Sequence, residues 1–427
     1  MSDLPLGQHR IFYGWLVVAV AFLAYFVSAG LTPGAVYGVL LKPMSQEMGW
    51  MRATTVGAAT LGGVVTGLAS PFVGAMVDRY GARVAMVVGA IIAGAVLFAL
   101  SQIQALWQIY LLYGVIGALA RASLAEAVPT TLVANWFVKK RGRAVAFTTM
   151  GFSLGTAVWV PVAQWIIPNY GWRMAWAVMG LGVWGLITLP AWLVVRRRPE
   201  DMGLMPDGAG AINRQTTKPT TKGKGNPPEE AVWTMREAMG TRAFWLILMT
   251  VVLTAMSDVG IITHMAAYFT DRGFSAAIAA SAISTFALVA LLVKVFWGFL
   301  AEKLHVRYCL ILCTVGCALA TLGLLVVGDV ETVYGAVIFY GLTIGGILTL
   351  QAVVWPDYFG RPFLGTIRGF ATVLQSTGAA LGPLLAAWLY DLHGNYNIAF
   401  SLLAAAFLVA ALFMLVATPP ATKPSHG

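Results

Sequence analysis

Five ionisable side chains lie inside long apolar stretches of this 427-residue chain, and they are its first candidates for chemistry. They are Arg121, Glu126, Asp258, His264 and Lys294. A charged group at the depth of a lipid bilayer costs roughly 2.5 to 3.5 kcal/mol, so each must face protein or water. Arginine and lysine can bind an anion, whereas a carboxylate or an imidazole can take up and release a proton. This set therefore favours the binding of an anion coupled to proton transfer.

The apolar stretches that carry these groups are long enough to be membrane helices. Hydrophobic residues make up 59% of the chain and charged residues only 10%, whereas about a quarter of an average soluble domain is charged. A helix needs about 20 residues to cross the hydrocarbon core. By that criterion the predicted spans are 13–41, 53–77, 83–102, 106–136, 143–167, 173–195, 243–270, 276–301, 308–327, 332–355, 366–390 and 396–417. The first is longer than the apolar part of a cleaved signal sequence, so we interpret it as a span of the mature protein.

The distribution of basic residues predicts the orientation. Six of the 27 Lys and Arg lie at the outer face or within spans when both termini are placed in the cytoplasm, which leaves 21 on the cytoplasmic side. The six are Lys42, Arg52, Arg121, Arg173, Arg272 and Lys294. The net charge of +10 is then a topology signal, and we predict no nucleic-acid partner.

A charged motif occurs twice in the chain, after the second and after the eighth predicted span. Both copies follow the pattern Gly-x-x-x-acid-base-x-x-x-Arg, and they are 298 − 74 = 224 positions apart. Their candidate residues are Gly74, Asp78, Arg79, Gly81 and Arg83 in the first copy, and Gly298, Glu302, Lys303 and Arg307 in the second. Glycine lets helix ends approach closely, and the acid can lie at the N-terminus of a neighbouring helix. We predict that both copies act as a gate.

A second repeated segment supports duplication of a six-span unit. Tyr170-Gly171-Trp172-Arg173 and His393-Gly394 repeat at 394 − 171 = 223 positions, nearly the same offset. We therefore predict an N-terminal six-helix half at 1–195, a cytoplasmic linker at 196–242 that is rich in Gly, Pro, Thr and Lys, and a C-terminal six-helix half at 243–427. The fold class is all-α, a polytopic membrane protein with twelve transmembrane helices in two bundles.

The duplicated motif, the six-plus-six layout and the central linker resemble the major facilitator superfamily over essentially the whole chain. Segments 37–50, 134–142, 198–208 and 357–360 are similar to the bacterial branch of the monocarboxylate transporter family, which is related to the oxalate-formate antiporters. The resemblance implies alternating access, in which two halves rock around a site near the bilayer midplane. It also implies an integral protein of the bacterial cytoplasmic membrane.

The resemblance suggests a role for Lys294, because related transporters carry a cation at the matching position of the eighth span that pairs with the substrate carboxylate. The alternative is a structural pair with Asp258 in the seventh span. Animal monocarboxylate transporters place an aspartate one turn before that cation, where this chain has Ala290, and it has Ala35 roughly where their first-span lysine falls. Asp258 is therefore the candidate proton carrier, or else a fixed counter-ion to Lys294 or Arg121.

The remaining candidates are assigned by alignment and by depth. Gln375 occupies the position of a second cation in oxalate-formate exchange, which shifts the expected substrate from dicarboxylates to monocarboxylates. Arg121 is either a substrate ligand or part of an internal charge network, and Glu126 and His264 are further proton-coupling candidates. Among the aromatic residues, Tyr340 and Tyr37 are the best candidates for contact with substrate.

We predict a secondary active transporter, a proton-coupled symporter of a small organic monocarboxylate such as lactate, pyruvate or an aromatic acid. Its partners are then this anion, protons and the lipid bilayer, without a cofactor, and we expect a monomer. The alternatives are an organic-anion exchanger, an efflux pump for lipophilic compounds and a non-transporting sensor. No motif pairs a nucleophile with a base, so we do not expect an enzyme. Cys309, Cys313 and Cys317 form a packing or lipid-facing stripe along one helix rather than a metal site.

Overall fold

A computed structural model describes residues 12–32, 35–124, 127–208 and 233–420. It is built of helices, and the reason lies in the sequence. In a bilayer, a helix satisfies all of its backbone N–H and C=O groups internally, so long apolar segments fold in this way. The helices of the first half are Gly14–Leu31, Ala35–Met48, Arg52–Tyr80, Ala82–Leu100, Leu106–Ile109, Tyr110–Ile116 (a π-helical segment), Gly117–Leu124, Ala127–Trp136, Arg141–Val183, Trp184–Thr188 (π-helical) and Leu189–Val194.

The second half repeats this design with fewer interruptions. Two short 3₁₀ turns, Pro199–Met202 and Pro206–Gly208, and the helix Met235–Met239 belong to the predicted linker. The long helices that follow are Arg242–Asp271, Ala276–Lys303, Val306–Leu325, Val330–Phe359, Leu364–His393 and Asn397–Val416. We number the membrane spans one to twelve in chain order, from Gly14–Leu41 to Asn397–Val416.

Among the described residues, eleven helical segments are long and apolar enough to cross a membrane, and one of them contains two spans. Arg141–Val194 has 54 residues and would be about 80 Å long, far more than a bilayer of about 30 Å needs. The segment is interrupted at Gly171, whose φ of 81° lies outside the range of a right-handed helix. The segment therefore forms the fifth and sixth spans, and the predicted twelve-helix fold class is confirmed.

Glycines repeat between the halves and mark equivalent helix contacts. A Cβ on Gly151 or Gly155 would lie 2.2 Å from the carbonyl oxygen of Phe22 or Phe26, so the fifth span packs closely on the first. In the second half, the eleventh span packs on the seventh in the same way. A Cβ on Gly378 or Gly382 would lie 2.6 or 1.9 Å from the carbonyl oxygen of Val252 or Met256. These contacts assemble each bundle from within.

One face of the molecule carries both copies of the repeated motif, and we call it the motif face. Tyr13 near the start of the chain and Ala417 near its end also lie here, because Tyr13 donates a hydrogen bond to the Val194 carbonyl and Tyr358 donates one to that of Ala417. The cysteine stripe is fully buried in the ninth span, so it is a packing stripe rather than a lipid-facing one. The domain boundaries 1–195, 196–242 and 243–427 stay a prediction, and much of the linker lies outside the described residues.

Candidate functional site

A cavity of about 460 Å³ lies between the two halves. Both bundles contribute to it, through the first, second, fourth and fifth spans on one side and the seventh, tenth and eleventh on the other. Most of its lining is apolar or hydroxyl-bearing. Its lining includes Phe152, Thr254, Asp258, Ile347, Gln351, Gln375 and Ser376. A chamber of this size holds a small organic molecule.

Among the described residues, Asp258 is the charged one that lines the cavity. Its carboxylate accepts a hydrogen bond from the hydroxyl of Tyr340 at 3.1 Å, and Tyr340 is itself fully buried in the tenth span. Among the described residues Asp258 forms no ion pair. A carboxylate with one neutral donor and an open side toward a cavity is suited to accept and release protons.

Lys294 is buried between the halves, with 6% of its surface exposed, and does not line the cavity. Its Nζ donates to the hydroxyl of Ser153 at 2.8 Å and to the carbonyl of Thr149 at 3.2 Å, both in the fifth span. Asp258 lies sixteen residues from the motif-face end of its helix and Lys294 nine from its own, a difference in depth of about 10 Å. The structural pair between Asp258 and Lys294 is therefore not formed in this conformation.

Arg121 lies inside the first bundle, 2% exposed, and does not line the cavity either. Its guanidinium stacks over the ring of Tyr113 at 4.7 Å and donates to the carbonyls of Leu31 and Tyr113 at 3.3 and 3.4 Å. Its second terminal nitrogen, Nη2, has no partner among the described residues and lies where a Cβ on Gly62 would be. The described partners of Arg121 are thus carbonyl dipoles and an aromatic face.

Two glutamines give the cavity neutral hydrogen-bonding groups. Gln375 of the eleventh span lines it, and its contact with substrate stays a prediction. Gln351 of the tenth span lines it as well and donates to the hydroxyl of Thr254 at 2.7 Å. Such amides can orient a carboxylate without adding charge.

Tyr37 and His264 do not line the cavity. Tyr37 is buried in the first half and donates to the Thr55 carbonyl at 2.7 Å. His264 contacts the hydroxyl of Tyr396 through Nδ1 and donates to the Pro383 carbonyl through Nε2, both at 3.1 Å. Glu126 lies outside the described residues.

The first copy of the repeated motif joins the two halves at the motif face. Asp78 accepts from the backbone N–H groups of Gly365 and Thr366 at 2.9 and 2.7 Å and from the Thr366 hydroxyl at 2.7 Å. These groups begin the eleventh span, whose helix dipole favours a negative charge at this end. Gly74 is required, because a Cβ there would lie 2.0 Å from the Gly365 carbonyl oxygen.

The second copy makes the equivalent contact in the other direction. Glu302 accepts from the backbone N–H of Arg143 at 2.9 Å and pairs with its guanidinium at 2.6 Å, at the start of the fifth span. Beside it, a Cβ on Gly298 would lie 2.6 Å from the carbonyl oxygen of Gly142. The fifth and eleventh spans are equivalent helices, since their starts, Arg141 and Leu364, are 223 positions apart. Each motif acid therefore lies at the N-terminus of the same helix in the opposite half.

The basic residues and the remaining glycine of the motifs lie around these contacts. Arg79 lies over the ring of Tyr80 and Arg83 over that of Trp192. Gly81 follows the last residue of the second span and has a φ of 87°. Lys303 is exposed, and Arg307 lies over the ring of Tyr308. In the described contacts between the halves, the motif residues that take part are the acids and the first glycines.

The described hydrogen bonds and ion pairs that join the halves lie on the motif side of the cavity. Besides the motif acids, Arg141 pairs with Asp357, and the hydroxyls of Thr149 and Thr349 are 3.1 Å apart. The chamber is therefore closed toward the motif face. Sequence reasoning missed Thr149, Ser153 and Gln351, because a hydroxyl or an amide in a membrane helix most often bonds its own backbone and carries no distinguishing pattern.

Comparison with known proteins supports a transporter. The sequence pattern of the Major Facilitator Superfamily matches residues 14–284 and 270–427. The chain is 26% identical to human monocarboxylate transporter 11 over its whole length and 87% of that protein. It is 25% identical to bovine monocarboxylate transporter 13, covering 96% of this chain and 92% of the relative. Human monocarboxylate transporter 2 is 22% identical and covers 95% of the chain and 85% of its own length.

Solved structures have the same fold. The proton:xylose symporter XylE superposes with a TM-score of 0.72 at 14% identity, covering 95% of this chain and 96% of its own. The E. coli fucose:proton symporter FucP gives 0.70 at 12% identity, with 96% and 99% covered. The human organic anion transporter MFSD10 gives 0.65 at 16% identity, with 96% and 100% covered. At these identities the likeness shows the arrangement of helices.

Proposed function

Since the chain belongs to the major facilitator superfamily and is related to monocarboxylate transporters, we propose that it is a proton-coupled symporter of a small organic monocarboxylate. The observation that carries this proposal is Lys294, a buried cation held between the halves by two neutral oxygens. Among the described residues this ammonium forms no ion pair, and a carboxylate adds the attraction of an opposite charge that hydroxyl and carbonyl groups lack. The monocarboxylate transporter names of the relatives favour the same class of substrate.

Asp258 is the proposed proton carrier, since its carboxylate faces the cavity and has no cation beside it among the described residues. One anion and one proton that move together carry no net charge, which avoids about 2.3 kcal/mol per charge per 100 mV. Gln375, Gln351 and Tyr340 supply neutral hydrogen bonds around this path. Arg121, Glu126 and His264 stay candidates for the charge network of later steps.

We assign the motif face to the cytoplasm, because the positive-inside rule applied to Lys and Arg places both chain ends on that side. In this orientation the described conformation is closed toward the cytoplasm and faces outward. Alternating access would then consist of breaking the Asp78 and Glu302 contacts and closing the opposite end. We place the protein in a cytoplasmic membrane, as a monomer.

The test is uptake of labelled lactate, pyruvate or benzoate into proteoliposomes under an imposed pH gradient. The symporter accumulates one of these acids when the outside is more acidic, and Lys294→Ala abolishes the uptake. Arg236→Ala removes an exposed cation from the linker helix and leaves uptake unchanged. Gradient-driven uptake that persists in Lys294→Ala, or none in the wild type for any monocarboxylate, refutes the proposal.

A second candidate is proton-coupled efflux of a lipophilic cation, and one observation favours it. The charged side chain that lines the cavity is an acid, Asp258, beside apolar groups such as Phe152 and Ile347. In an exporter of this kind, an inward proton gradient drives the release of a cationic dye from loaded vesicles. Such a protein does not take up carboxylates. The same proteoliposomes distinguish the two functions.

A further inference from the structure

The contact of Lys294 with the fifth span joins the two halves at the cavity end of a longer seam. Toward the motif face the same two helices meet at Gly142 and Gly298, and then at Arg143 and Glu302. The fifth and eighth spans are thus held together at three levels. Lys294 holds the level nearest the cavity, because Phe152, the neighbour of Ser153 in the chain, lines the cavity.

The partners of Lys294 are weak competitors for a charge. Ser153 offers a neutral hydroxyl at 2.8 Å and Thr149 a backbone carbonyl at 3.2 Å. Both oxygens are neutral, whereas a carboxylate adds the attraction of an opposite charge to the hydrogen bond with the ammonium. The flexible stem of lysine lets the ammonium swing without movement of the backbone. A carboxylate that enters the cavity can therefore take the ammonium away from the fifth span.

We propose that Ser153 is a positioning residue that occupies the ammonium of Lys294 until the substrate carboxylate replaces it. The exchange removes the contact between the fifth and eighth spans that lies nearest the cavity, and so binding of the anion weakens closure at the motif face. A ligand shifts a conformational equilibrium only through a difference in affinity between two states, and the contact with Ser153 supplies that difference. The inference rests on the proposed function for the identity of the anion, but the contact itself fastens the halves with no anion present.

The first experiment measures closure without substrate. Ser376→Cys places a reporter thiol in the cavity lining, while the native cysteines 309, 313 and 317 are fully buried. An impermeant maleimide applied from the motif face labels this thiol only when that face opens. On this background Ser153→Ala is expected to raise the labelling rate about three- to tenfold, the effect of losing one hydrogen bond of ordinary net strength, because the Thr149 carbonyl still accepts from the ammonium.

The matched variants separate the hydroxyl from general packing. Ser153→Thr keeps the hydroxyl and is expected to label like the wild type. Thr156→Val, one turn along the same helix, removes a hydroxyl that, among the described residues, bonds the Phe152 carbonyl of its own helix, and it leaves the rate unchanged. A rate for Ser153→Ala within twofold of the wild type, or an equal increase in Thr156→Val, overturns the inference.

The second experiment measures binding affinity by calorimetric titration. The ligand is whichever of lactate, pyruvate or benzoate stabilises the wild-type protein most against thermal unfolding. Ser153→Ala is expected to bind it about three- to tenfold more tightly, because no placeholder competes. Weaker binding would make Ser153 a ligand of the substrate and overturn the inference. If the wild type and Lys294→Ala bind equally, the proposed function fails instead, and the labelling result still decides whether Ser153 fastens the halves.

Discussion

Neutralising Glu302 is expected to open the motif face. The carboxylate accepts the backbone N–H of Arg143 at 2.9 Å, its Nε at 3.0 and 2.9 Å and its Nη2 at 2.6 Å. It is also the acid at the N-terminus of the fifth span, which a negative charge stabilises. Glu302→Gln keeps the size of the side chain but removes its charge and one of its two equivalent acceptor oxygens.

The size of the effect follows from the burial of the pair. Glu302 is 9% exposed and Arg143 30%, so solvent screens this ion pair less than a surface pair. A hydrogen bond to a charged group contributes about 1.5 to 3 kcal/mol, and Gln retains part of that. A loss of about 2 kcal/mol in the closed state changes the equilibrium between closed and open about 30-fold.

The assay is maleimide labelling of Ser376→Cys from the motif face, because its rate is proportional to the open fraction while that fraction is small. Glu302→Gln is expected to raise the rate about 30-fold. Glu331→Gln makes the same chemical change at an exposed position in the first turn of the tenth-span helix and serves as the control. A folded Glu302→Gln protein whose labelling rate stays within twofold of the wild type would refute the gating role of this contact.

Two further predictions concern coupling and packing. Asp258→Asn keeps a hydrogen-bond partner for Tyr340 but cannot carry a proton. Accumulation of the anion in vesicles is therefore expected to fall from a limit of about tenfold per pH unit to none, while exchange continues. Accumulation equal to that of the wild type would contradict this. Gly382→Ala places a Cβ 1.9 Å from the Met256 carbonyl oxygen and is expected to cost about 1 to 3 kcal/mol, seen as a lower thermal unfolding temperature. Its control is Gly335→Ala on an open helix surface, where nothing lies within 4 Å and stability should rise slightly; an equal change in both variants would show that packing at Gly382 is not tight.

The duplication and the motif acids were accessible from the sequence because they rest on local properties. An apolar run of about 20 residues must form a helix in a bilayer, whatever its neighbours are. The twice-repeated Gly-x-x-x-acid pattern predicted an acid at the N-terminus of a neighbouring helix, and Asp78 and Glu302 lie at such positions. The sequence did not tell which helix each acid would meet, and only the packed halves pair them with the eleventh and fifth spans.

The candidate site depended on how each helix is rotated about its axis. Arg121 and Asp258 lie near the middle of their spans and Lys294 lies nearer the motif face, and from the sequence each could face the cavity. Packing directs Asp258 to the cavity, turns Arg121 onto Tyr113 within its own bundle, and sends Lys294 across to Ser153. Ser153 carried no signal, because a serine in a membrane helix usually bonds its own backbone.

The sequence by itself therefore determined the number of spans, the duplication into two halves and the identity of the buried charges, since hydropathy and helix formation act within a segment. Tertiary structure alone decided which of these charges share a space and which are held apart. The rotation and depth of a helix are set by contacts with helices from distant parts of the chain, such as Gly151 against Phe22 and Gly382 against Met256. Those contacts leave Asp258 exposed to the cavity and Lys294 bound to the opposite half.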